Sequence, residues 1–177
     1  NHVVNYFGTN EALEVATKFQ RVRELRELYQ RQLKRIAKFV RYFEMRDFRN
    51  RLIYFLFFAT NNRLGFIRMK EAMWSVDPSG EFRFSDATNP DQLILLEVDP
   101  LPKLVNEVQS KFKGIGKIAC KKVRDYVENE TIFLKKHLTE ALRILEEEDQ
   151  IKVDDIKLDG NKRRSRTFPD NARIEFL

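Results

Sequence analysis

Ile151-Lys152-Val153-Asp154-Asp155-Ile156 and Ala172-Arg173-Ile174-Glu175-Phe176-Leu177 flank the polar run from Lys157 to Asn171. Both flanks set β-formers between polar residues, the pattern of half-buried strands. The run between them carries Gly160-Asn161, a pair suited to a tight turn at a loop tip. Upstream, two segments of helical period follow Gly114-Ile115-Gly116. One places Ala119, Val123, Tyr126 and Val127 on a face, the other Leu134, Leu138, Ala141, Leu142 and Leu145. Thr131 is positioned to cap the second helix, and Glu146-Glu147-Glu148-Asp149 closes it. Helix, helix, strand, loop, strand is winged-helix order, so residues 100–177 are assigned to a winged-helix-like domain.

The loop is cationic: Lys157, Lys162, Arg163, Arg164 and Arg166 stand against Asp159 before Pro169-Asp170. Guanidinium groups grip phosphate oxygens and enter narrow minor grooves without reading base edges. A second basic group, Lys111, Lys113, Lys117, Lys121, Lys122 and Arg124, meets no acid between residues 108 and 124. Lys135, Lys136 and His137 fall in the first turns of the second helix, the part that points at bases when such a module enters a major groove. The pattern predicts binding of nucleic acid, double-stranded DNA foremost, through Lys162, Arg163, Arg164, Arg166, Lys135, Lys136, His137, Lys121 and Lys122. Two other readings of the same charges stay open, a merely solvated surface and a protein-docking winged helix. Glu140, Glu146 and Glu147 on the same helix weigh against the nucleic-acid reading.

Residues 1–99 form a different lobe. Asn10-Glu11 reads as a helix start, and Phe19, Val22, Leu25, Tyr29, Leu33 and Ile36 extend one amphipathic helix to about Ala37. Phe39 to Met45 and Leu52 to Thr60 are β-forming runs split by Arg46-Asp47-Phe48-Arg49-Asn50-Arg51. Because Ile53 to Phe58 is apolar at every position, both faces should be covered, as inside a helix-flanked sheet. Asn61-Asn62 then starts a helix through Phe66, Met69 and Met73 that Asp77-Pro78-Ser79-Gly80 stops, and Glu81 to Ser85 alternates as a short strand. Thr88-Asn89-Pro90-Asp91 is a loop, Leu93 to Val98 an apolar run, and Pro100 and Pro102 open a helix reaching Phe112.

The 177 residues are 42% hydrophobic with a net charge of +6, enough apolar material for two small cores and a mild attraction to polyanions. No apolar run approaches the ~18 residues that cross a bilayer, which predicts a soluble cytoplasmic protein with no membrane partner. A single cysteine, Cys120, and two distant histidines exclude a disulfide framework and a Cys/His zinc cluster within the chain. Cys120 adjoins the apolar face of its helix and reads as a packed thiol, Trp74 as core. Neither a P-loop nor G-x-G-x-x-G occurs, so no cofactor site and no catalytic motif are visible. The Asn1-His2-Val3-Val4 start marks no secretion signal and leaves room for a segment upstream.

Tyr54-Phe55-Leu56-Phe57-Phe58-Ala59-Thr60-Asn61-Asn62-Arg63-Leu64-Gly65, followed by Met69-Lys70-Glu71-Ala72-Met73-Trp74, resembles the three-Cys-motif partner protein family. Glu130-Thr131, Ala141-Leu142, Arg163-Arg164 and Thr167-Phe168 are similar to its C-terminal region, so the resemblance runs from about Tyr29 to Leu177. It implies a prokaryotic protein from mobile or phage-related loci, encoded beside a three-Cys-motif protein that would be its partner. It further implies that Phe39 to Thr60 closes a Rossmann-like, methyltransferase-like sheet whose cofactor turn lies before Asn1. S-adenosylmethionine-dependent methyl transfer would then belong to an upstream domain, and no catalytic residue is assigned here. The expected fold is α+β: an N-terminal helix and partial Rossmann-like sheet, then a winged helix. The expected function is nucleic-acid binding alongside the three-Cys-motif partner. The alternative is a protein-docking module of a methyltransferase-like enzyme.

Overall fold

The computed structural model describes residues 2–85 and 99–177. The chain is α+β and divides into two compact units, Asn1–Leu93 and Ile94–Leu177. The Thr88-Asn89-Pro90-Asp91 loop and the apolar run Leu93 to Val98 lie outside the described residues.

The first unit opens with three helices, α1 (His2–Phe7), α2 (Glu11–Ala16) and α3 (Arg21–Leu33). The single long helix expected from Asn10 to Ala37 is therefore broken at Thr17 to Gln20. The Thr17 hydroxyl donates to the Glu14 carbonyl at 2.8 Å, and the Thr17 and Lys18 N–H groups donate to the carbonyls three residues back. Those bonds tighten the last turn of α2 and end it. The chain then doubles back, burying Ala12 and Val15 of α2 and Leu28 of α3, while Phe19 at the break stands fully in solvent.

Next come β1 (Phe39–Arg46), β2 (Leu52–Thr60), α4 (Arg63–Val76) and β3 (Arg83–Ser85). The strands form a sheet of order β2-β1-β3, β1 antiparallel to β2 from Phe39 opposite Thr60 and parallel to β3 from Glu44 opposite Arg83. Phe39, Val40 and Phe43 of the central strand are buried, with Phe39 stacked on Phe66 of α4 at 4.9 Å. The double cover expected for Ile53 to Phe58 is not met within the described residues, because β2 is an edge strand and Ile53, Tyr54 and Leu56 are all more than half exposed. Asn62 begins α4 as its cap, its Oδ1 accepting the Gly65 N–H at 3.1 Å. Gly80 follows at φ +75°, where an added Cβ would stand 2.5 Å from the Trp74 ring. Trp74 is buried, as its helical spacing implies.

The second unit contains α5 (Leu101–Phe112), β4 (Ile118–Ala119), α6 (Cys120–Glu130), α7 (Lys135–Glu147), β5 (Ile151–Val153) and β6 (Arg173–Phe176). Its sheet is antiparallel throughout, in the order β4-β6-β5. The core gathers one apolar stripe from each helix: Leu104, Val108 and Phe112, then Val123 and Val127, then Leu138, Ala141, Leu142 and Leu145. Ile174 and Phe176 complete it from the sheet, Phe176 stacking on Phe112 at 5.6 Å. The two-residue β4 was not anticipated. Thr131 closes α6 instead of starting α7: its hydroxyl donates to the Val127 carbonyl at 2.7 Å and accepts the Phe133 N–H at 3.1 Å.

Candidate nucleic-acid interface

Lys135 and Lys136 occupy the exposed first turn of α7. His137, the third residue of the same turn, bonds to its own backbone. Its Nδ1 accepts the Leu134 N–H at 3.2 Å and its ring meets Phe133 edge-on, so half of a capping box holds the helix start. Leu134 has no polar side-chain atom with which to return the bond. That bond commits one ring nitrogen of the half-buried His137 to the helix start. Arg143, absent from the residues chosen by sequence, is exposed and shares the outer face with Lys136 and Glu140. The i, i+7 spacing from Lys136 was the signal for it.

The loop between β5 and β6 is braced, not loose. Gly160 turns its tip at φ +81°, with the Lys157 N–H donating to the Asn161 carbonyl at 2.9 Å. Asp159 accepts the Asn161 N–H, which holds its carboxyl below the usual range, and also accepts from the Asn171 side chain at 2.7 Å. An Ile156 to Lys162 bridge zips the stem. Arg163 then departs most from expectation. Its side chain is 5% exposed and its guanidinium donates to Glu146 of α7 at 2.7 Å and to the Thr167 carbonyl at 3.0 Å. A buried, paired arginine of this kind holds the loop to α7 and has no face left for phosphate.

Lys157 is half-buried and pairs with Asp159 at 3.6 Å, while the other loop cations point outward. Lys162 and Arg164 are exposed and carry no ion pair among the described residues. Arg166 is exposed at φ +55°, pairs with Glu147 at 3.1 Å, and its carbonyl accepts from Arg143 Nε at 3.5 Å. At its far end the loop is tied to α6, where Arg124 pairs with Asp170 and the Lys121 N–H donates to the Asp170 carbonyl at 3.2 Å. Lys121 itself pairs with Asp125 at 2.9 Å, whereas Lys122 beside it is exposed without an ion pair among the described residues. The structure thus joins the cations of α6, α7 and the loop into one braced piece and withdraws Arg163 from its surface.

Cys120 is buried at the start of α6 and burial pushes its thiol up to about 11, an inert setting. Among the described residues no group of His, Cys, Asp or Glu is arranged to hold a metal ion, and no helix is long and apolar enough to cross a membrane. No family model, curated protein or solved structure matches the chain.

Proposed function

We propose that the second unit is a winged helix that binds duplex nucleic acid through its phosphates, with α7 as the helix offered to the groove and the loop from Asp154 to Asn171 as the wing. The observation that carries the reading is the set Lys122, Lys135, Lys136, Lys162 and Arg164, all exposed and without ion pairs among the described residues, on three elements that the loop cross-links. The sheet order β4-β6-β5 behind three helices supports the winged-helix assignment. Sequence selectivity has little to rest on, because His137 is engaged in capping α7 and Glu140 shares the outer face with Lys136 and Arg143. The interaction is one of shape and charge, formed alongside the three-Cys-motif partner that the family resemblance implies. That resemblance also favours a methyltransferase-like origin for the sheet of the first unit, to which the parallel pairing of β1 with β3 lends support.

Five phosphate contacts imply a log–log salt slope near about −4.5, so affinity for a labelled duplex should fall on the order of several-hundredfold for a fourfold rise in salt. Lys162→Glu with Arg164→Glu should remove most of the binding and flatten that slope by about two. No binding at low salt, or binding indifferent to this double variant, would overturn the reading. A second reading, docking of an acidic or mixed-charge partner protein, draws on the exposed Glu140 and on the Arg166–Glu147 pair, which place both signs of charge on the same face. Co-purification that persists in high salt would favour it.

A further inference from the structure

The first unit carries an open cleft of about 610 Å³ where α3 meets β1 and β2. Its lining includes four guanidiniums, Arg21, Arg23, Arg26 and Arg46, and one carboxylate, Glu44. Glu44 lies on the floor, its side chain 12% exposed, and three arginines converge on it: Arg46 at 2.8 Å, Arg83 at 3.3 Å and Arg26 at 4.0 Å. Glu27 is shared by Arg23 and Arg26, and Glu81 pairs with Arg83. Within the lining four guanidiniums face the single carboxylate of Glu44, and Glu27 just outside it offsets a second, which leaves an excess of two positive charges at the recess.

Three further features say what kind of anion would complete the site. Arg26 is clamped over the Tyr42 ring at 4.7 Å and near Phe55 at 5.8 Å, and its buried Nε has no hydrogen-bond partner among the described residues. Arg21 opens α3, whose cap residue Gln20 offers no side-chain bond to the first-turn N–H groups, so helix dipole and guanidinium act at the same rim. Phe19, at the break between α2 and α3, lines the cleft with its ring wholly in water, and Val22 beside it is half exposed. An apolar ring left bare at the edge of an arginine cluster is the arrangement that stacks a planar base while cations hold its phosphate.

We infer that this cleft binds a nucleoside phosphate, with its phosphates at the exposed Arg21 and Arg23 and its base on Phe19, while Arg46, whose three guanidinium nitrogens are held by Glu44 and the Asn50 carbonyl, shapes the floor. Glycine-built motifs gave no sign of it because the anion would be held by side chains, not by a backbone nest. The site is separate from the proposed duplex-binding surface, on the other unit of the chain.

The test is calorimetric titration of the whole chain with ADP and, in parallel, with inorganic phosphate at low salt. ADP should bind saturably and more tightly than phosphate. Arg21→Glu with Arg23→Glu, both on exposed side chains, should weaken ADP binding by roughly tenfold or more, with the far-UV circular-dichroism spectrum of the folded chain unchanged. Phe19→Ala should weaken ADP by roughly fivefold or more while leaving phosphate binding as it was. Lys162→Glu with Arg164→Glu should leave ADP binding intact. The inference is overturned by the absence of saturable ADP binding, by ADP affinity that survives the arginine reversals or the loss of Phe19, or by its loss on changing the second unit alone.

Discussion

Replacing Arg163 by alanine should damage the second unit far more than replacing its exposed neighbour Arg164. Arg163 is 5% exposed and Glu146 23% exposed, joined at 2.7 Å, so truncating the arginine strands a largely buried carboxylate and frees the Thr167 carbonyl. Breaking a fully buried pair costs ~3–5 kcal/mol. Here Glu146 keeps some water and the pair is imperfectly satisfied, since Arg163 Nε and the second Glu146 oxygen lack partners among the described residues. A loss of about 2–3 kcal/mol follows, or on the order of 10 °C in Tm for a unit of this size. Arg164→Ala should stay within about 0.5 kcal/mol of wild type. Circular-dichroism melts of the whole chain measure both, and the paired change Arg163→Met with Glu146→Met should recover much of the loss, because an apolar pair removes the stranded charge. If the Arg163→Ala melt coincides with that of Arg164→Ala, the guanidinium is solvated and the braced loop described above is wrong.

Gly80→Ala forces a Cβ against Trp74 at a φ of +75° and should cost ~2 kcal/mol or more, seen as a lower midpoint in urea and a shifted Trp74 emission. Cys120 should resist alkylation in the native protein at pH 8 and react on unfolding. Because its folded pKa of about 11 lies above the ordinary 9.0, the folded state holds its proton longer, so stability present below pH 9 should be lost as pH rises toward 11. A Cys120→Ala variant should show a flatter stability profile over that range, and equal slopes would contradict the assigned burial.

The helices of the second unit and β6 were legible because each carries an apolar stripe of the right period, and β5 because Ile151 and Val153 alternate with Lys152. What escaped were features whose cause lies far along the chain or is too short to have a period. The buried role of Arg163 depends on Glu146, seventeen residues upstream and on another element; in sequence, an arginine in a basic loop reads as solvent-facing. The break at Thr17 to Gln20 was masked by Phe19, whose spacing to Val15 and Val22 continues the helical rhythm although its ring packs on nothing. β4 has two residues and no alternation to detect. The cleft beside α3 combines residues from α3, β1 and β2, so only the register of Glu44 opposite Phe55 brings its parts together.

The tie between Arg163 and Glu146 also bears on what association with a ligand would demand. A floppy basic loop must surrender conformational freedom when it settles on a surface, at about 0.5–1.5 kcal/mol for each side chain immobilised. Here the loop is already held to α7 by Arg163 and Arg166 and to α6 through Asp170. Most of that ordering has been completed during folding, so a ligand spanning helix and loop meets a preorganised surface. Its affinity would then respond to changes in the hidden brace as well as to changes in the groups it touches.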